Sequence, residues 1–132
     1  MNQNKIKLME CQFCVLPKIR IWFDQAGVVV FRDAYPISPG HTLVIPKKHV
    51  KSLFELDEGE REDLFQALSR AKSLLESEMK PDGFNIGINE GIAAGQTVFH
   101  LHVHLIPRYQ GDSVDPRGGV RWIFPEKAKY WS

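Results

Sequence analysis

Three of the chain's five histidines fall at alternate positions, in the run Phe99-His100-Leu101-His102-Val103-His104-Leu105-Ile106. A period of two belongs to a β-strand with unlike faces, because a helix never sets residues i, i+2 and i+4 on one side. The run predicts a strand that buries Leu101, Val103 and Leu105 and carries a row of imidazoles on its other face, about 6.6 Å apart at a rise of roughly 3.3 Å per residue. Imidazoles beside a core are costly unless each is hydrogen-bonded or liganded. Three meanings compete: a solvated polar face, a metal site in which alternate histidines share one ion, and a nucleophilic imidazole whose neighbours hold a phosphate. Gly95-Gln96-Thr97 precedes the run and offers backbone N–H, amide and hydroxyl donors to an anion, while no carboxylate sits on the strand itself. These donors suit a phosphoryl oxygen and favour the third meaning.

The rest of the chain divides by its turn residues. Ile19 to Phe23, Gly27 to Asp33 and His41 to Pro46 read as short antiparallel strands. Asp57 followed by Glu60 has the form of a capping box, and Leu64, Leu68, Ala71 and Leu75 recur at helical spacing. One main helix is therefore expected over about 57–79, ending before Lys80-Pro81-Asp82-Gly83. Phe84 to Asn89 and Val98 to Pro107 complete the strands. A length of 132 residues fits one domain, 1–132, and the aromatic tail 111–132 is expected to pack on its own domain or on a second subunit.

Charge narrows the function. Lys+Arg 17 against Asp+Glu 16 gives a net charge of +1, which exerts no general pull on a polyanion and argues against a nucleic-acid partner. No apolar run approaches the roughly 18 residues that span a bilayer, and the start MNQNKIKLME lacks the apolar core of a secretory signal. A soluble, cytoplasmic protein with no membrane partner is expected. Cys11-Gln12-Phe13-Cys14 has the gap that lets two thiolates meet one ion, although a tetrahedral site needs two further ligands. A redox pair and two idle thiols remain as alternatives. Lys47 and Lys48 read as solvated, Arg108 either approaches a polyphosphate or forms a surface ion pair, and His41, after a Pro-Gly turn, is left out of the site.

His100-Leu101-His102-Val103-His104-Leu105-Ile106 resembles the H-φ-H-φ-H-φ-φ signature of the histidine triad (HIT) superfamily. The resemblance extends through Phe31-Arg32-Asp33, Ser38 to Pro46, His49, Asn89-Glu90-Gly91 and Gly95-Gln96-Thr97, covering about residues 11–110. It implies an α+β fold with a five-stranded antiparallel sheet and helices, and a homodimer whose two sheets join into one of ten strands. It implies further a small-molecule nucleotide substrate, a nucleotide joined through phosphate to a leaving group, as in diadenosine polyphosphates. The reaction would pass through a covalent nucleotidyl-histidine.

By position His102 would be the nucleophile, with His104 and Thr97 on the α-phosphate oxygens and Gln96 near the phosphate and the leaving-group oxygen. Asp33 would accept from the ribose hydroxyls and Asn89 would line the phosphate and ribose region, although both also suit turns. Cys11, Cys14, His49 and His100 would hold a structural zinc, as in galactose-1-phosphate uridylyltransferase and many bacterial HIT proteins, and the chemistry itself would need no cofactor. Leu105 to Asp112 resembles the Fhit-like branch and bacterial relatives more than the Hint branch. A phosphorylase, an aminoacyl- or phosphoramidate-nucleotide hydrolase, and a zinc-stabilised nucleotide-binding module without turnover remain as alternatives.

Overall fold

The computed structural model describes residues 11–132, so the expectation drawn from the first ten residues lies outside the described part of the chain. Strands β1 (Ile21–Gln25), β2 (Val28–Arg32) and β3 (Thr42–Pro46) follow one another. Helix α1 (Glu58–Met79), β4 (Gly83–Gly87), β5 (Val103–Arg108) and a short α2 (Pro125–Ala128) come next. All five strands pair antiparallel in the order β1-β2-β3-β5-β4, so the sheet expected from the sequence is present. Residues Ala26 and Gly27 join β1 to β2 with φ of 48° and 76°, the backbone of a tight hairpin turn whose twist matches the strands it connects.

α1 begins as the sequence predicts. The Asp57 carboxylate accepts from the Glu60 N–H at 2.8 Å and the Glu60 carboxylate accepts from the Asp57 N–H at 2.9 Å, satisfying two otherwise orphaned donors. Leu64, Ala67, Ala71 and Leu75 are buried against Val28, Val30, Val44, Val103 and Leu105 on one face of the sheet. The opposite face carries a second cluster, Val29, Phe31, Leu43 and Ile45, packed with Phe13, Leu16 and Ile21. Strand alternation thus divides one sheet between a helix-covered side and a side left open for His104. Among the described residues no helix is long and apolar enough to cross a membrane.

Two strand limits differ from expectation. β1 starts at Ile21 because Lys18–Arg20 forms a 3-10 turn after Pro17, leaving Ile19 exposed. β5 starts at Val103 rather than Val98. The β3·β5 register of Leu43 with His104 and Val44 with Val103 would set Pro46 opposite Leu101, and a proline has no N–H to continue the ladder. Leu101 instead donates its N–H to the Val50 carbonyl. The tail folds largely on itself, with the Arg117 guanidinium 4.5 Å from the Trp131 ring centroid, Arg121 5.0 Å from that of Tyr130, and Ala128 buried.

Gly40, at φ 87°, ends the turn before His41 and lies under the far end of α1. A Cβ there would stand 2.6 Å from Met79 Sδ and 3.2 Å from both Leu75 and Pro107. Gly40→Ala is expected to lower stability by about 1–2 kcal/mol through left-handed backbone strain alone, read as a fall in the denaturant midpoint; an unchanged midpoint would show that the turn relaxes freely.

Candidate active site and metal corner

The histidine row is divided between two tasks. His100 is fully buried and turned toward the Cys11–Cys14 turn, its Nδ1 3.5 Å from both Sγ atoms. The His49 Nδ1 lies 3.2 Å from Cys14 Sγ. His100 Nε2 faces the Pro46 carbonyl at 2.7 Å; a carbonyl only accepts, so Nε2 carries the proton and the Nδ1 lone pair faces the sulfurs. One donor atom from each of Cys11, Cys14, His49 and His100 lies within 4.8 Å of the others. Two thiolates and two imidazole nitrogens in so small a space fit one tetrahedral ion and leave no coordination position open. Burial and the neighbouring Cys11 push the Cys14 thiol up to about 12. Two thiolates so close repel each other, and a cation between them removes the repulsion.

His102 uses the same logic on the other side. Its Nδ1 lies 2.8 Å from the His100 carbonyl and therefore donates, which leaves the lone pair of the neutral ring on Nε2. His104 follows with ring centroids 5.2 Å from His102. His41, which sequence reasoning left out, belongs beside them: its Nδ1 accepts from the Ile37 N–H at 3.2 Å, so its own proton sits on Nε2. That atom lies 3.0 Å from His104 Nδ1 and 3.4 Å from an Asp33 carboxylate oxygen. His104 Nδ1 then accepts, and its remaining proton is on Nε2. The arrangement presents one acceptor nitrogen, on His102, and one N–H donor, on His104. The signal that could have found His41 is strand parity, since Leu43 pairs with His104 and His41 lies two residues before it.

Burial lowers the pKa of His41 against the pull of Asp33. The His104 pKa is also lowered, first by burial, then by the neighbouring His102 and His41.

A cleft of about 470 Å³ opens over this row, and Asp33, Asn89, Thr97, His102 and His104 all line it. Asp33 also accepts from the Tyr35 N–H at 2.8 Å, so its turn role and its place in the cleft coexist. Gln96 does not line the cleft. It is buried, its carbonyl accepts from the Gly91 N–H at 2.9 Å, and its amide donates to Lys51 and Val98 carbonyls at 3.1 and 3.2 Å. Its amide braces the loop that carries Asn89 and Thr97. The guanidinium of Arg108 is engaged by Asp112 at 2.8 and 2.7 Å and by Asn85 at 2.6 Å, which is the ion-pair alternative. Lys47 and Lys48 pair with Asp24 and Glu60. Sequence reasoning also missed Gln12, Phe13 and Arg20, which line the cleft from the N-terminal side.

Comparison with known proteins places this geometry in a family. The HIT domain profile matches residues 17–111. The chain belongs to the HIT family. Bis(5'-nucleosyl)-tetraphosphatase [asymmetrical] of Schizosaccharomyces pombe is 44% identical over 82 residues, 62% of this chain and 45% of that protein. AP-4-A phosphorylase of Mycobacterium tuberculosis is 36% identical over 99 residues, 68% of this chain and 51% of that protein. The chain thus spans about half the length of these two relatives. Among solved structures, a HIT family protein from Bacillus anthracis superposes with a TM-score of 0.72 at 37% identity, covering 78% of this chain and 76% of that one. A Zn-bound histidine triad family protein from Mycobacterium smegmatis gives 0.72 at 36%, covering 82% and 81%.

Two outcomes follow. The unfolded chain takes up protons on histidine near pH 6.5, whereas His41 and His104 take them up lower in the fold, so the unfolded state binds more protons in between and stability falls as pH drops below about 6.5. NMR titration of the ring carbons should give midpoints below 6.5 for both; midpoints above it would mean that Asp33 outweighs burial. Gln96→Leu should lose about 1–3 kcal/mol of stability by removing three hydrogen bonds to part-buried backbone groups, measured by denaturant unfolding, and wild-type stability in that variant would return Gln96 to a role outside loop bracing.

Proposed function

We propose that the protein transfers a nucleoside monophosphate from a nucleotide-phosphate-X substrate, such as a diadenosine polyphosphate, to His102 and then to an acceptor. The observation that carries this reading is the 2.8 Å bond from His102 Nδ1 to the His100 carbonyl, which puts the lone pair of the neutral ring on Nε2, in a residue that lines the cleft. In the first step the Nε2 lone pair forms a bond to the α-phosphorus, the phosphorus–oxygen bond to X breaks, and X departs with the electron pair, protonated by solvent where its basicity requires it. In the second step an acceptor oxygen attacks, a water acceptor releasing its proton to solvent, the phosphorus–nitrogen bond breaks, and the electron pair returns to the ring. The His104 Nε2–H and the Thr97 hydroxyl donate to phosphoryl oxygens on which negative charge accumulates. Asn89 and Asp33 are assigned to the phosphate and ribose region.

Water as acceptor makes the protein a hydrolase, and inorganic phosphate makes it a phosphorylase; the two relatives above bear names of both kinds. Water is the proposed acceptor, which makes the protein a hydrolase. In the metal corner Cys11, Cys14, His49 and His100 would hold a structural zinc, which would brace His100 and, through the His100 carbonyl, the His102 ring, and would supply no other chemistry to the reaction. β4 is an edge strand with Ile86 exposed, and pairing of this edge with a second copy would join two sheets into one of ten strands.

Intact-protein mass spectrometry after mixing with diadenosine polyphosphate should find one nucleoside monophosphate added to the wild type and none to His102→Ala, which keeps its fold. Normal turnover by His102→Ala would sink the covalent mechanism. Elemental analysis should give about one zinc per chain, and Cys14→Ser should lower both zinc content and thermal stability; a zinc-free protein of unchanged stability would remove the metal from this account.

A further inference from the structure

The turn that delivers His41 to the histidine row is held by groups that do not line the cleft. The Ser38 hydroxyl donates to the Pro107 carbonyl at 2.6 Å, and the Tyr109 hydroxyl donates to the Pro39 carbonyl at 2.9 Å. Tyr109 has a second neighbour. The sulfur of Met79, the last residue of α1, lies 3.7 Å from the same hydroxyl. A hydroxyl has one proton, and a thioether is the weaker acceptor, so the carbonyl holds it. The sulfur is also pressed against the turn itself, since a Cβ on Gly40 would stand 2.6 Å from it. Met79 is nonetheless 38% exposed, and it is the one methionine among the described residues.

We propose that Met79 is an oxidation site through which a peroxide acts on the histidine row: its sulfoxide draws the Tyr109 hydroxyl from the Pro39 carbonyl and loosens the turn that sets His41. The sulfur lone pair attacks the terminal oxygen of the peroxide and the O–O bond breaks. The transferred oxygen stays on sulfur, and its proton passes to the oxygen that leaves as water or an alcohol. Sulfur is oxidised, the peroxide is reduced, and no further reactant is needed. The space toward Gly40 has no room for another atom, so the new oxygen turns away from it, and Tyr109 is the donor within reach. A polar sulfoxide oxygen competes for that proton as a thioether does not. Gly40, at φ 87°, is all that separates Pro39 from His41. His41 Nε2 lies 3.0 Å from His104 Nδ1, so a displaced His41 disturbs the bond that fixes the proton of a cleft residue. The effect on His41 is the same whatever substrate the cleft takes.

The test exposes the full chain to hydrogen peroxide and follows it by peptide mass mapping, denaturant unfolding and NMR of the histidine ring carbons. Wild type should gain one oxygen at Met79, lose part of its denaturant midpoint and shift its His41 signals, and methionine sulfoxide reductases should reverse all three. Met79→Leu, which conserves volume and lacks the sulfur, should keep its midpoint and its His41 signals through the same treatment. Tyr109→Phe, which removes the contested proton, should show shifted His41 signals before any peroxide is added. Turnover of the oxidised wild type should fall, by about a hundredfold for a displacement of about 1 Å. Absence of oxygen at Met79, unshifted His41 signals in the sulfoxide form or in Tyr109→Phe, or an equal response from Met79→Leu would overturn the proposal. Lack of turnover by the untreated protein would overturn the nucleotide reading alone and leave the other three readouts to decide the oxidation site.

Discussion

Pro46 lies at the last position of β3 and opposite the point where β5 would otherwise continue toward the metal corner. Because it has no N–H, the ladder stops, and its carbonyl is taken by the His100 ring instead of a strand neighbour. His100 then fixes His102 through its own carbonyl, and the Ile37 N–H fixes His104 through His41. Each ring's protonation pattern is thus set by a backbone group that can play only one part. A histidine row on a regular central strand would have no such assignment. The irregularity of the backbone just before Val103 is what makes neighbouring residues of one type chemically unlike.

The Cys/His corner and the cleft are joined through His100, whose carbonyl accepts from the cleft-lining His102. Their demands on the backbone are opposite, since four ligands around one ion would favour rigidity while a cleft that takes a ligand must admit and release it. The fold separates them by direction. His100 turns to the cysteines, while His102 and His104 turn to the cleft, and the buried Leu101, Val103 and Leu105 on the other face hold all of them to the helix-covered core. Donation from His102 to the His100 carbonyl makes the orientation of one corner a condition for the other.

Much of this was legible in the sequence, where period-two and period-3.6 patterns and the capping box of Asp57 and Glu60 specify elements locally. The helix and its cap agree with expectation at both ends, with Lys80 at φ 50° closing α1 before Pro81. What escaped depended on pairing between distant segments. His41 reads as a surface residue until β3 is set beside β5, and the Pro46 interruption shows only once that register is known. The three backbone bonds of the Gln96 amide, to Gly91, Lys51 and Val98, likewise join loops that no linear pattern brings together. Gln12 and Phe13 were eclipsed by the cysteines on either side of them.

The helix also measures. Its 22 residues, at about 1.5 Å each, span roughly 33 Å from the capping box to Met79, which rests on the turn ahead of His41. Inserting a single residue in its exposed face would rotate everything beyond it by about 100° and carry Met79 away from that turn. The length of α1 is therefore under the same constraint as the site, though no residue of it lines the cleft. Change in this chain is easier to accommodate by substitution along the helix than by any alteration of its count.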